Sequence, residues 1–211
     1  MKNGLTKYYQ IFASIPEGDY EKSVGFLKES ISNLFIEDYY AQFPNSEILE
    51  FNVNGYTYLF DLNIETESNK IEKTDRVVAV YGRISLTNAK RDSNRMKGFI
   101  GPFTKLTKYK DFDKGHFISH KINGNLDQNL YPQLKELNRG WSKQGKLFRY
   151  LERYCEQNPD TFLFTRPIYT DLSWIPRFID YGIFTKEFGL LLNRFDNKII
   201  HTDNRLDGSA S

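Results

Sequence analysis

The run DFDKGHFISHKINGNLDQNLYPQLKELNRGW, residues 111–141, gathers the side chains of this chain best suited to chemistry. His116 stands behind Asp113, Lys114 and Gly115, and an imidazole with an ordinary pKa near 6.5 suits general-base work at neutral pH. Gly115 permits a tight bend or a close backbone approach, while Asp113 supplies a carboxylate near enough in sequence to orient a neighbour. Asparagines recur downstream. Asn123 and Asn125 flank Gly124 and read as turn formers. Asn138 differs: it falls within apolar helical spacing, where asparagine is mildly unfavourable, so a compensating role is worth seeking. His120 follows His116 by four residues, but His201 and Cys155 lie too far along the chain to complete zinc-ligand spacing. His120 therefore reads as a polar core residue or a phosphate contact.

The net charge of +2 conceals an asymmetry. From Arg83 to Arg153 there are 16 Lys and Arg against 6 Asp and Glu; residues 1–82 carry 7 against 13, and residues 154–211 carry 6 against 8. The positive charge is thus centred on the opening run. Arg91, Arg95 and Lys97, then Lys105, Lys108 and Lys110, lead into it, as phosphate-backbone contacts without sequence preference would require. A solvated basic face is the alternative. Tyr109, Phe112 and Trp141 are rings that either stack on bases or fill the core.

These residues need a scaffold, and 211 residues with 39% hydrophobic content predict one domain with one sizeable core. Residues 20–35 carry Val24, Leu27, Ile31 and Leu34 near a helical period. Two β-prone runs flank Asn54-Gly55, a strong hairpin signal, and RVVAVYGRISL reads as a further strand. TNAKRDSNRMKG reads as a basic loop. From Tyr131 the pattern turns helical through Leu151, interrupted at Gly140 and Gly145. The runs TFLFTRPIY, RFIDYGIF and EFGLLLNRF close the chain as strands, ahead of a polar tail over 200–211 that is expected to fray. Strands before and after a central helical segment predict an α+β fold with a mostly antiparallel sheet. The single cysteine excludes an intrachain disulfide, and no window approaches the length of a membrane span. The N-terminal run lacks the apolar stretch of a signal peptide, so a cytoplasmic location or export without a cleavable leader is expected.

DKGHFISHKINGNLDQNLYPQLKELNRGW, followed by Glu152, resembles the DRGH signature and downstream asparagines of non-specific DNA/RNA endonucleases of the ββα-metal, or His-Me finger, superfamily. The likeness covers residues 113–153, and residues 1–80 resemble nothing recognised. It implies a finger of hairpin and helix, with the hairpin around Gly115–Leu130 and the helix bearing Asn138, inside a nuclease core over residues 81–195. By the same resemblance His116 is the general base that deprotonates water, and Asn138 ligates Mg²⁺, with Mn²⁺ as the expected substitute. Asn129 belongs with the metal site and helps hold the finger, Glu152 serves the ion's hydration shell, and Asp113 stands behind the ligands. Lys114, His120, Arg139, Arg91, Arg95 and Lys110 are the expected contacts to nucleic acid. Lys114 replaces the usual arginine, which turns a bidentate contact into a point charge.

One length constrains this assignment. Asn138 and Glu152 would lie about 21 Å apart on one unbroken helix, so both serve one ion only if the helix breaks at Gly140 or Gly145. Otherwise Glu152 is simply the i,i+3 partner of Arg149. The expected activity is phosphodiester hydrolysis in DNA, with RNA as a second substrate and 5′-phosphate ends. An exported effector or toxin with a cognate inhibitor protein would suit such an enzyme, and a defence nuclease is the alternative. A nucleic-acid-binding module that keeps the finger without turnover, or an interaction protein in which His116 is a structural hydrogen-bonding group, are the rival readings.

Overall fold

Asn54 and Gly55 form the turn their dipeptide predicts: both have positive φ, 54° and 87°, as a two-residue type I′ hairpin demands. The computed structural model describes residues 3–62, 75–92, 94 and 110–198. Across the turn β1 (Ile48–Val53) pairs antiparallel with β2 (Tyr56–Asp61), and β3 (Arg76–Arg83) follows. β4 (Phe112–His116) and β5 (Leu130–Leu134) make a separate two-stranded ribbon. The chain returns to the main sheet in β6 (Phe162–Ile168), β7 (Phe178–Thr185) and β8 (Gly189–Asp196), giving six antiparallel strands in the order β1-β2-β3-β6-β7-β8. The fold is α+β, as the strand pattern predicts.

Each face of this sheet has its own core. On the back, α1 (Asn3–Ala13) and α2 (Tyr20–Gln42) lay Tyr8, Leu27, Ile31 and Phe35 against Leu59, Tyr81, Phe162 and Phe164. On the front, Phe117, Ile118 and Tyr131 of the ribbon and its connection join Leu137, Phe148 and Leu151 over Val80, Leu163, Tyr181 and Ile183. A bulge where Leu59 faces Ala79 but Phe60 faces Val77 leaves Val78 extra on β3. That extra residue lets β3 feed Val77 and Val80 to the front core and Val78, Ala79 and Tyr81 to the back.

Several expectations are corrected. The helix begun at Tyr20 runs to Gln42, because Phe35 and Tyr39 continue the buried i,i+4 stripe of Leu27 and Ile31. Helix α1 went unread, since among its described side chains Tyr8 alone is fully buried, donating to Asp180 at 2.8 Å and stacking on Phe164. The helix expected from Tyr131 is strand as far as Leu134. Tyr131 faces Gly115 and Pro132 faces Lys114, an edge position where the missing proline N–H costs nothing. The hairpin expected over Gly115–Leu130 is chiefly the connection, its arms lying outside it as β4 and β5. Arg95, Lys97, Lys105, Lys108, Tyr109 and the tail over 200–211 lie outside the described residues. Among those described, no helix is long and apolar enough to cross a membrane.

Candidate active site

His116 ends β4 opposite Leu130. Its Nε2 is buried and has no hydrogen-bond partner among the described residues. Burial pushes the imidazole pKa down to about 3, and the nearby charges of Arg91 and His120 push the same way. At neutral pH the ring is therefore uncharged and keeps a lone pair to offer.

The basic loop reaches this ring because it is tied to the finger's connection. The Thr87 amide donates to the Lys121 carbonyl at 3.1 Å, and His120 Nε2 lies 2.9 Å from the Ala89 carbonyl, which can only accept, so that nitrogen carries the proton. His120 sits on the 3₁₀ turn His120–Ile122. It is an anchor for the loop, not the core residue that was one of its two expected roles. Two residues beyond Ala89, exposed Arg91 acts electrostatically on both His116 and Glu152.

Asn138 ends a one-turn helix, α3 (Lys135–Asn138), and its Nδ2 donates to Asp113 Oδ2 at 3.1 Å. A carboxylate only accepts, so the contact fixes the amide nitrogen towards Asp113 and leaves Oδ1 outside that contact. Arg139 closes on the same carboxylate in bidentate fashion, Nε at 2.6 Å and Nη2 at 2.7 Å, while its guanidinium lies 4.8 Å from the ring centre of Trp141. Burial alone would raise the Asp113 pKa, but the hydrogen bonds from Arg139 and Asn138 hold it below the usual range. Trp141, one of three rings with an open role, is 62% exposed rather than core.

The helix breaks where the length argument requires. Gly140 has φ +73°, Ser142 caps α4 (Lys143–Gln157) by accepting from the Gly145 amide at 3.0 Å, and the chain changes direction between Asn138 and Lys143. Arg149 then passes beside Gly140 and ends on Glu152, Nη1 to Oε2 at 2.6 Å. The i,i+3 partnership is real, yet Glu152 is buried, not a surface residue. Burial raises its pKa to about 7 against the pull of Arg149. A carboxyl so raised favours the fold most below its ordinary pKa and loses that contribution as pH climbs from the usual carboxylate range to about 7. Sequence reasoning passed over Arg149 as a site residue, although its spacing from Glu152 was visible.

Gly145 shows what holds α3 and α4 together. A Cβ there would stand 2.1 Å from the Glu136 carbonyl oxygen and 3.0 Å from the Gly140 Cα. Alanine normally stabilises a helix by about 1 kcal/mol over glycine. At Gly145 the backbone contact reverses the sign, and Gly145→Ala is expected to lose about 1–3 kcal/mol, read as a lower melting temperature by circular dichroism. A rise would refute the contact.

Asn129 requires a correction as a metal ligand. It is 0% exposed, its Oδ1 accepts from the Ile118 amide at 2.9 Å, and its Nδ2 donates to the carbonyls of Ile118 at 2.7 Å and Asn125 at 2.8 Å. The amide is spent on the backbone of the connection. Its neighbours Tyr131 and Gln133 bury Oη and Nε2 without a partner among the described residues, a feature the sequence did not reveal. Lys114 flanks His116 on β4 with its pKa lowered by burial, and Lys110 precedes the strand, its carbonyl accepting from Lys135 Nζ.

A comparison with curated proteins finds no match. Among solved structures the chain is similar to Sda1 nuclease with a bound zinc ion, at 14% identity and a TM-score of 0.38, over 74% of this chain and 75% of that one. It is similar also to an extracellular endonuclease, at 12% identity and a TM-score of 0.36, over 74% and 81%. The sequence profile described as DNA/RNA non-specific endonuclease matches residues 60–185, more than half of the chain and all of the finger. The chain belongs to the DNA/RNA non-specific endonuclease family.

Proposed function

We propose that this nuclease hydrolyses phosphodiester bonds of DNA and RNA with a hydrated Mg²⁺, replaceable by Mn²⁺, and leaves 5′-phosphate ends. The observation that carries the reading is the buried Nε2 of a neutral His116, without a partner among the described residues and within the electrostatic reach of Arg91, in a chain of this family. The donor set fits such an ion. A hydrated Mg²⁺ takes one or two protein oxygens and retains its waters, and Asn138 Oδ1 is the oxygen left outside the Asp113 contact. When bound, the ion would supply charge compensation at the phosphate and the leaving oxygen.

The remaining work belongs to side chains. His116, uncharged and in its Nδ1-protonated tautomer, removes a proton from the attacking water at Nε2. Arg91 faces the developing negative charge, and the incoming phosphate in turn offsets its depressing effect on the imidazole. Asp113, clamped by Arg139, keeps the Asn138 amide from rotating. Glu152, near neutrality in its titration and held by Arg149, is placed to exchange a proton with water around the site. Lys114, Lys110, His120 and Arg139 provide the phosphate-facing rim, and Arg95 extends it in sequence. The same reading makes the chain an effector or toxin whose producer carries an inhibitor protein.

Plasmid nicking and RNA cleavage test this together. Wild type is expected to cut both with Mg²⁺ and to lower host viability when induced. Asn138→Ala should require at least tenfold more Mg²⁺ for half-maximal nicking and should spare the host. A folded wild type that cuts neither substrate with any divalent ion would defeat the reading.

A further inference from the structure

Helix α4 carries a second pattern on the side turned away from the core. Lys143, Lys146, Leu147, Tyr150 and Arg153 recur at i, i+3, i+4, i+7 and i+10, so they form one exposed stripe, and Tyr154 at i+11 turns back to pack against the core. The inward stripe of Gly145, Phe148, Leu151, Glu152 and Cys155 is buried, whereas Leu147 and Tyr150 are 40% and 58% exposed. No carboxylate stands on the outer stripe, and none of Lys143, Lys146 and Arg153 forms an ion pair among the described residues. The nearest glutamates of the helix are engaged, Glu152 by Arg149 and Glu156 by Lys121. At its N-terminal end the stripe meets a groove of about 770 Å³ of mixed charge, where Lys143 and Trp141 share the lining with Lys135 and Lys198 and with Asp111, Glu136 and Asp196. The basic stripe proper thus begins at Lys143 and runs away from that groove. Trp141 in turn is stacked by Arg139, which grips Asp113 beside Asn138.

Cations without an ion-pair partner among the described residues, set beside the exposed rings of Tyr150 and, just before the helix, Trp141 over about 15 Å, match a polyanion that also offers flat apolar faces. Bases within a duplex already stack on each other and present only their edges, so exposed tyrosine and tryptophan faces are of use to unpaired bases. We infer that the outer stripe of α4, from Trp141 through Lys143, Lys146 and Tyr150 to Arg153, is a track for single-stranded nucleic acid that continues the substrate strand away from the reactive phosphate. This rests on the nuclease reading for its direction along the strand, but not for the binding itself. A acidic protein on the same stripe would use the charges without needing the ring faces, and the test separates the two.

The experiment is equilibrium binding of fluorescein-labelled 20-nucleotide single strands, and of the same sequence as duplex, to the full chain in metal-free buffer over a salt series. Tyr150→Ala is expected to weaken single-strand binding about 5- to 150-fold, the range measured for loss of one stacking ring, and to leave duplex binding within twofold. Lys146→Ala with Arg153→Ala is expected to flatten the single-strand salt slope by about 1.4, two contacts at about 0.7 each. These side chains are exposed, so folding survives and circular dichroism checks it. Hydrolysis of bis(4-nitrophenyl) phosphate, too small to reach the stripe, should be unchanged in all variants. Equal losses for single strand and duplex, or no loss for either, would overturn the track. Because no cleavage enters the binding readout, a wild type that binds single strands as described but never cuts would sink the catalytic proposal alone.

Discussion

His116→Ala is expected to reduce the rate of Mg²⁺-dependent cleavage by about 10²–10⁴-fold while the far-ultraviolet circular dichroism spectrum stays that of the wild type. The loss is that of a base positioned at a buried nitrogen with nothing else to bind it among the described residues. Its pH dependence gives an independent check. With the folded pKa depressed to about 3, the acid limb of kcat/KM in the wild type should lie below the ordinary histidine value of about 6.5. Stability has the matching sign. The unfolded chain takes up a proton near its ordinary pKa and the folded ring refuses it until about 3, so His116 favours the fold above the ordinary value and loses that contribution as pH falls towards the lower one. Melting temperatures of wild type and His116→Ala should therefore converge, or cross, on acidification. A wild-type acid limb well above the ordinary histidine value would contradict the buried neutral ring.

Asn129→Asp is expected to lower the melting temperature by on the order of 10 °C, whether or not Mg²⁺ is present. The two donations to the carbonyls of Ile118 and Asn125 vanish, at about 1–3 kcal/mol each, and a carboxylate is left facing carbonyl oxygens in a fully buried position. Were Asn129 a cation ligand, aspartate would be the better donor and Mg²⁺ would raise the melting temperature of the variant. Calorimetry with and without the ion distinguishes the two outcomes, and strong stabilisation by Mg²⁺ would restore Asn129 to the metal site.

The turn at Asn54-Gly55, the closing strands and the break near Gly140 were legible because each rests on a local rule: positive φ, β-branched and aromatic runs, a glycine interrupting a helical period. β5 was not legible. Leu130, Tyr131 and Leu134 satisfy helical spacing as well as a short buried strand does, and only pairing with β4, distant in sequence, decides between them. Helix α1 was hidden for a related reason, since Tyr8 gains its partners Asp180 and Phe164 from strands more than 150 residues away. Site residue types could be read from the GH, NLYPQ and LNRG phrases, but their roles needed coordinates. Asn129 and Asn138 are the same chemistry nine residues apart. One has its amide consumed by backbone, and the other engages its nitrogen alone among the described residues. Arg91 was visible as one cation among many in a basic loop; its electrostatic reach to His116 and Glu152 comes with the tie of that loop to the finger through Thr87 and Ala89.

The finger is sewn into its host. Asn197, just past β8, receives the Leu134 amide at 2.9 Å and donates to the carbonyls of Pro132 and Pro176, while Thr165 on β6 donates to the Phe117 carbonyl at 2.9 Å. Excised as a stand-alone peptide or grafted onto another scaffold, residues 110–157 would therefore leave open backbone groups at both ends of the ribbon and shed the sheet beneath Phe117 and Tyr131. Engineers seeking a portable cutting cassette from this chain must carry the strands along with it.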